Sequence, residues 1–592
     1  MEKLQKLGRM PVGLIIPAIA ILFVIFGVPI VQLFLISVNA PSFSLVNYQA
    51  FFRQQENVFV LFQTIKMSVV ATAICVIIGY PTAYLIVIAS KPVRTGLIVF
   101  VFIPWLTSGL VRTYAWTVIL GDHGLINNLL LDLRLISDPL PLLYNRLAVY
   151  IGMVHIMLPI MILPLLSVMQ GIDQSLLAAA RSMGARPFAA FWRVFLPLSL
   201  PGVRSGTLLV FVVSLGFFIT PQALGGLRDA MLSNFIAVQV ASSLNLAPIA
   251  AAAFILLAIA VFMLSLFGMD IYGTQDHRGR TVRKSWRSQL SSLGALPRYL
   301  NEIAIPYRAR HWAAQLYQAG SGSSWSKIAG AVFVLLVMIY LLFPELIVII
   351  MSFSAGPFLE FPPSGFSLQW YRSLFGDPSW IRAFWDSFQI GVTVTILSTI
   401  AGTLAAAGLA RTSPRPRTFL MMVILTPITF PAIVVGVAAY LGLVNLGLIG
   451  TKTGIVLAHS IGSIAYVVVI VAATLANFDQ RLEHAAKSMR AGPVRTFMRV
   501  TLPLIRPGII GGAVFAFIAS FDEMVVTSLV SGFSIRTLPL KMFENINQQI
   551  DPTIAAVGSL LTLMPVLWLV ALYVTWWRSR LRLQDAPVNS VA

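Results

Sequence analysis

Apolar residues in this chain come in long unbroken runs rather than in the one-sided stripes of a soluble amphipathic helix. Runs near 12–37, 59–88, 96–120, 147–170, 200–221 and 247–269 are followed by a polar stretch and by a second set near 328–353, 384–410, 418–441, 453–476, 507–530 and 553–577. Each is long enough to cross about 30 Å of hydrocarbon as a helix. A segment in lipid must satisfy its own backbone hydrogen bonds, so the pattern predicts an all-α polytopic membrane protein with twelve transmembrane helices in two sets of six. Lys3, Lys6 and Arg9 precede the first run as they would precede a signal peptide. Its apolar stretch is too long for one, and an uncleaved first helix is expected.

Self-comparison reveals a duplication. Phe43-Ser44-Leu45 and Tyr48 return as Phe366-Ser367-Leu368 and Tyr371, Gly79 as Gly402, and Gly124-Leu125-Ile126 as Gly447-Leu448-Ile449, all 323 residues on. Further along the separation falls to 306, with Ala179-Ala180-Arg181-Ser182-Met183 matching Ala485-Ala486-Lys487-Ser488-Met489 and Leu196-Pro197-Leu198 matching Leu502-Pro503-Leu504. Six spans per copy is an even number, so the copies are parallel repeats related by an axis along the membrane normal. The expected division is a first half at 1–269, a basic cytoplasmic linker at 270–327 and a second half at 328–592. The linker carries Arg278, Arg280, Arg283, Lys284 and Arg287 with Trp286, Tyr299, Tyr307 and Trp312, a composition suited to lying on the inner membrane surface.

Composition removes whole classes of function. Of 592 residues 58% are hydrophobic and 10% charged, which excludes a soluble enzyme. One cysteine, Cys75, excludes an intrachain disulfide, a cysteine-built metal site and thiol redox chemistry. The net charge of +20 would suit nucleic acid in a soluble protein. With the amino terminus inside, however, the cytoplasmic segments alone sum to about +21, so retention of inner loops accounts for the charge and no nucleic-acid partner is needed. Both termini are expected in the cytoplasm. His155 and His459 lie in corresponding fourth spans without acidic neighbours and read as helix-packing donors, so no metal site and no catalytic residues are expected.

The best-repeated loop follows the fourth span of each set: 177–206 laid on 483–512 agrees at about 15 of 30 positions. Ala179, Ala180 and Ala185 would let another protein approach closely, Gly184 would relax the backbone after a short helix, and Pro197 would start the return into the membrane. At this point the chain resembles the permease subunits of type I ATP-binding-cassette importers, whose signature loop runs E-A-A, three residues, G, nine residues, I, one residue, L-P. Ala179-Ala180, Gly184, Val194 and Leu196-Pro197 fall on that spacing, as do Ala485-Ala486, Val500 and Leu502-Pro503. The departures are Ala178 and His484 at the family glutamate, with Glu483 one place early, and Arg490 at the family glycine. The resemblance implies that each loop is a cytoplasmic coupling helix seated in an ATPase subunit, through Ala179, Ala180, Gly184, Ala185 and Pro197 in one copy and Ala485, Ala486, Arg490, Ala491 and Pro503 in the other. No G-x-x-x-x-G-K-[ST] occurs, so this chain is not expected to hydrolyse ATP by itself and is expected to be a transport subunit, not an enzyme. ATP and Mg would be held by two partner ATPase subunits, with no cofactor on this chain and an extracytoplasmic solute-binding protein delivering cargo.

Charge inside a span costs about 2.5–3.5 kcal/mol and marks function by default. The spans hold Lys66, Arg112, Arg204, Glu345, Asp386, Asp522 and Glu523. Asp522-Glu523 falls deep in the eleventh run and breaks the duplication, its repeat partners being Gly216 and Phe217. Read as helix, adjacent positions differ by about 100°, so one of the two acids would face a path. Residues 520–546 resemble the second permease subunit of spermidine/putrescine importers, and 102–116 with 124–130 resemble the first. The resemblance implies a polyamine-like cation as cargo, with Trp105, Tyr114 and Trp116 holding its methylenes and charge, in a bacterial inner membrane. Ferric-iron and aminophosphonate permeases share the layout. A proton-coupled secondary transporter would also fit a parallel duplication, with Asp522 or Glu523 carrying the proton.

Overall fold

The computed structural model describes residues 11–266, 324–548 and 552–567, apart from 244, 357–359 and 533. The expected linker lies almost wholly outside the described residues. The helices of the first set are α1 (Gly13–Ser37), α2 (Val46–Arg53), α3 (Gln55–Ile88), α4 (Lys91–Leu106), α5 (Gly109–Leu120), α6 (Leu125–Asp132), α7 (Arg146–Gln170), α8 (Gln174–Ser182), α9 (Pro187–Leu215), α10 (Ile219–Leu224), α11 (Leu232–Ser242) and α12 (Leu246–Leu266). Those of the second set are α13 (Ser324–Met351), α14 (Gln369–Gly376), α15 (Pro378–Ala410), α16 (Pro414–Thr429), α17 (Ala432–Asn445), α18 (Lys452–Ala476), α19 (Arg481–Ser488), α20 (Pro493–Phe521), α21 (Val525–Val530), α22 (Leu538–Gln548) and α23 (Thr553–Leu567). Among the described residues there is no strand. Helix ends recur at the spacings of the sequence repeat: α4 and α5 return as α16 and α17, and α7 to α10 as α18 to α21. α6 has no counterpart, and the extra length of the first copy lies around it.

The protein is therefore all-α and polytopic. Nine of the described helices are long and apolar enough to span, eleven when each of two bent pairs is one span. The twelfth expected span, 553–577, is described only over α23. Large apolar side chains such as Phe62, Ile77, Phe262 and Leu335 point outward and are exposed, as lipid-facing residues must be.

Three sequence expectations need correction. The runs at 96–120 and 418–441 are not continuous helices: α4 turns by 94° into Gly109–Asp132, and α16 turns by 103° into α17. At the first break Ser108 caps α5, its hydroxyl accepting the Leu110 N–H at 3.3 Å; at the second stands Pro431, which has no N–H to continue the preceding helix. The runs at 200–221 and 507–530 are displaced, since α9 and α20 start at Pro187 and Pro493 and end at Leu215 and Phe521. Pro197 and Pro503 do not begin the return helices but sit inside them. Each follows a π turn, Phe191–Phe195 or Phe497–Thr501, where the wider ring accommodates a proline that cannot bond four residues back.

The first span of each set crosses to the other set. α1 packs on α15 and α17, with Phe26 against Phe430 at 5.8 Å between ring centroids and Asn445 donating to Gln32 at 2.9 Å. α13 packs on α4, α5 and α3; its Tyr340 hydroxyl donates to the Ile151 carbonyl of α7 at 2.6 Å. Within each set the long helices approach at matched glycines. A Cβ on Gly79 would lie 2.8 Å from Met161 Cγ, and one on Gly402 2.7 Å from Val467 Cβ, so both positions admit only glycine without a shift.

Candidate functional site

Four helix breaks converge on one cavity of about 430 Å³: Gly109 at the start of α5, Phe430-Pro431 before α17, Gly216 to Phe218 between α9 and α10, and Asp522-Glu523 between α20 and α21. Irregular backbone at membrane depth is tolerated where it borders a cavity rather than lipid. Its wall is mainly apolar and includes the rings of Phe217, Phe430 and Tyr466 beside the two acids.

The acids do not occupy a continuing helix. α20 ends at Phe521, Asp522 is its C-cap and Met524 the N-cap of α21. The 100° argument therefore lapses, and both carboxylates border the cavity. Ser108 donates its hydroxyl to Asp522 Oδ1, and the Gly109 N–H donates to Oδ2 at 3.3 Å, so a carboxylate from the second set sits on the amino end of α5 in the first. Glu523 Oε1 accepts the Val526 N–H at 2.9 Å and caps α21. His459, a cavity residue, braces the break from α18: Nδ1 meets Ser520 Oγ at 2.9 Å and Nε2 meets Thr527 Oγ1 at 2.8 Å. Because the Thr527 hydroxyl donates to the Glu523 carbonyl at 2.7 Å, it accepts from Nε2–H, which leaves Nδ1 to accept from Ser520 in the neutral ring.

The remaining span charges sort by position. Lys66 and Arg204 are exposed and reach outward. Asp386 pairs with Lys452 at 2.6 Å, matching the Gln63–Arg146 bond of 2.9 Å in the first copy. Arg112 and Glu345 are buried beside the acid pair. Glu345 accepts from Thr107 at 2.6 Å and from Thr562 at 3.3 Å, while Nε and Nη1 of Arg112 have no hydrogen-bond partner and its charge feels Glu345 and Asp522. Arg112 makes no ion pair with either acid within 4.0 Å. Thr107 and Ser108 carry nothing in sequence that distinguishes them from ordinary span polars; only their contacts do.

Of the expected aromatic contacts, none borders this cavity. Trp105 is half-buried against Phe102 and Phe515, Tyr114 is wholly buried, and Trp116 lies in the core against His155 and Tyr340 at 5.8 and 5.6 Å. A second, more apolar cavity of about 380 Å³ lies beyond Ser108 and is lined by Leu106, Phe517, Phe521 and Met564; it shares Asp522 and Ile518 with the first.

The two repeated loops share a backbone and differ in chemistry. α8 and α19 end in the same capping turn, with the N–H of Ala185 or Ala491 bonded at 3.0 Å to the carbonyl of Ala180 or Ala486. Gly184 takes the left-handed position at φ +82°, and Arg490 takes it at φ +58° against the preference of a residue with a Cβ. Ala180 and Ala486 are buried; Ala179, Ala485, Gly184, Arg490, Pro197 and Pro503 are exposed, and Ala185 and Ala491 half-exposed. Met183 and Met489, overlooked as loop-tip residues, are 82% and 78% exposed. Glu483 turns inward to Arg411 at 2.6 Å and Thr501 at 2.5 Å, a tie the first loop lacks at Leu177. Asp173 precedes α8 and is held below the usual carboxylate range by the Ser175 N–H and hydroxyl. Among the described residues no group of three or more His, Cys, Asp or Glu is placed to hold a metal ion.

Residues 398–582 match the family described as the binding-protein-dependent transport system inner membrane component. The spermidine/putrescine transport system permease protein PotB of Haemophilus influenzae is 37% identical over 238 residues, which are 38% of this chain and 83% of that protein. PotB of Escherichia coli is 36% identical over 180 residues, 30% of this chain and 66% of that protein. The putrescine transport system permease protein PotI of Escherichia coli is 31% identical over 262 residues, 43% of this chain and 93% of that protein.

Proposed function

The chain belongs to the family of inner-membrane permeases of binding-protein-dependent transport systems, and on that premise we propose that it carries a polyamine-like organic cation through the cavity at the four helix breaks. The observation that carries this reading is a pair of adjacent carboxylates, Asp522 and Glu523, on the wall of a mainly apolar, aromatic-bearing cavity of about 430 Å³. That volume suits a small solute. Carboxylates in a low-dielectric site attract ammonium groups, and the faces of Phe217, Phe430 and Tyr466 accept methylenes and positive charge. An aminophosphonate would meet like charge there. The names of the similar PotB and PotI proteins agree with this cargo class.

In this reading an extracytoplasmic binding protein delivers the cargo, and two cytoplasmic ATPase subunits, which hold ATP and Mg, seat α8 and α19. The exposed methionines at the loop tips, adaptable apolar side chains, favour such seating. Closure of the ATPase pair draws the two loops together. The pull passes along α9 and α20, whose far ends are the breaks that border the cavity, and alternating access is a two-state rearrangement biased by cargo on one side and nucleotide on the other. The halves 1–269 and 328–592, the surface linker 270–327 and cytoplasmic termini belong to the same reading.

The test is co-purification with the neighbouring ATPase, followed by ATP hydrolysis in lipid with putrescine, spermidine, ferric iron and an aminophosphonate each offered on its binding protein. Stimulation by a polyamine alone is the expected result. Stimulation by iron or the phosphonate instead overturns the cargo, and no association with an ATPase overturns the importer in favour of a proton-coupled carrier.

A further inference from the structure

Asp522 is already occupied: its two oxygens receive the Ser108 hydroxyl and the Gly109 N–H. The same carboxylate is one of two residues common to both cavities, with Gly109 on the wall of the first and Ser108 on the wall of the second. The contact is thus the partition between them. It also joins the break in α4–α5 to the break in α20–α21, segments more than four hundred residues apart in the chain.

The pseudo-symmetric contact exists and is built without charge. Gly216, the counterpart of Asp522, packs against Pro431 and Ala432, the counterparts of Ser108 and Gly109; a Cβ there would lie 3.2 Å from the Ala432 nitrogen. Val435 stands where Arg112 stands and Phe430 where Thr107 stands. When the Ser37–Tyr48 bond of 2.8 Å is laid on the equal Ser352–Tyr371 bond, Ile30 stands where Glu345 stands. One junction carries no charge; its twin holds Arg112, Glu345, Asp522 and Glu523.

We propose that Ser108 sets how readily cargo is accepted, because the amino end of α5 is an internal competitor for the Asp522 carboxylate. An ammonium group entering the first cavity gains Asp522 only by drawing it away from Ser108 and Gly109, and the same displacement removes the partition. Cargo is thereby both ligand and key, while the apolar junction at Gly216 stays closed as the pivot. This rests on the cation reading above.

The experiment uses the full chain with its ATPase and binding protein in lipid, comparing the parent with Ser108→Ala and Ser108→Thr. Losing one hydrogen bond to a charged group is expected to raise hydrolysis without cargo about tenfold and to lower the concentration of spermidine-loaded binding protein needed for half-stimulation; threonine, which keeps the hydroxyl, restores the parent behaviour. A cargo-free rate for Ser108→Ala within about twofold of the parent overturns the proposal. Independently, Ser108→Cys with Asp522→Cys in a Cys75→Ala background is expected to cross-link in the nucleotide-free complex and not in the vanadate-trapped one. Equal yields in both states overturn it as well. Neither the cargo-free rate nor the cross-link uses an amine, so failure of the parent to respond to spermidine or putrescine defeats the cargo reading and leaves these two outcomes separately readable.

Discussion

At the end of α9 the chain turns through Gly216 and Phe217, and at the matching end of α20 it turns through Asp522 and Glu523. The backbone is the same in both places, down to the π turn within each long helix and the six-residue helix after each break. At Gly216 the turn packs directly onto Pro431 and Ala432, with Ser233 and Asn234 donating to the Phe217 and Phe218 carbonyls, so the junction closes without a charge. The acid at 522 is therefore not required to make the junction. A buried carboxylate that the architecture does not need fits the cargo-binding role proposed above, and the twin without it is the internal control. The loops ahead of these helices repeat the lesson more weakly: Gly184 fits the left-handed turn, whereas Arg490 occupies it under strain and Glu483 is tied to Arg411.

The comparison breaks most sharply if charge is placed in the apolar junction. Gly216→Asp would put a Cβ against the Ala432 nitrogen and leave its carboxylate no hydroxyl to receive, an uncompensated buried charge costing about 3–5 kcal/mol. A marked fall in melting temperature in detergent is expected; an unchanged one would mean that the junctions are interchangeable. The reverse change, Asp522→Asn, keeps the shape and removes the charge. Polyamine-stimulated hydrolysis should fall about tenfold or more with little change in melting temperature, the scale set by hydrogen bonds to a charged group at about 1.5–3 kcal/mol. Full stimulation by this variant would take Asp522 out of the cargo path.

In the loops, Gly184→Val meets no neighbour within 4 Å, so its cost of about 1–2 kcal/mol is conformational and local to the turn. Hydrolysis should persist but cease to follow the loaded binding protein. Retained coupling would show that the first loop is not the contact. Arg490→Gly is expected to slow amide exchange in α19, with at most about 1 kcal/mol of strain relieved; faster exchange would mean that the arginine side chain repays its backbone. The smallest effect concerns Asp173, whose depressed pKa means that its contribution to α8 is complete above the ordinary carboxylate value and fades as pH falls through the lower folded one. Amide exchange in α8, corrected for intrinsic rates, should accelerate at that acid end, and Asp173→Asn should remove the dependence.

The series of apolar spans, the duplication, the repeated loop and the unrepeated acid pair Asp522-Glu523 were all legible in the residues, because hydropathy over a bilayer thickness and matched spacing are properties of one-dimensional order. Fold class followed, since lipid allows few backbones. Three things were not legible. Breaks at Thr107-Ser108 and Phe430-Pro431 leave the apolar run uninterrupted, so a hydropathy window passes over a 94° turn. The exchange of α1 and α13 between the two sets follows from packing among helices whose lipid-facing and partner-facing sides are equally apolar. And the aromatic wall came from Phe217, Phe430 and Tyr466 rather than Trp105, Tyr114 and Trp116, because which side chains meet at a cavity depends on where four separate breaks converge. Sequence alone determined that a charge pair without a repeat partner lies inside an apolar run. Only the tertiary structure decided what holds it, since Ser108 and Gly109 reach Asp522 across more than four hundred residues of chain, a distance over which residue order carries no information about contact.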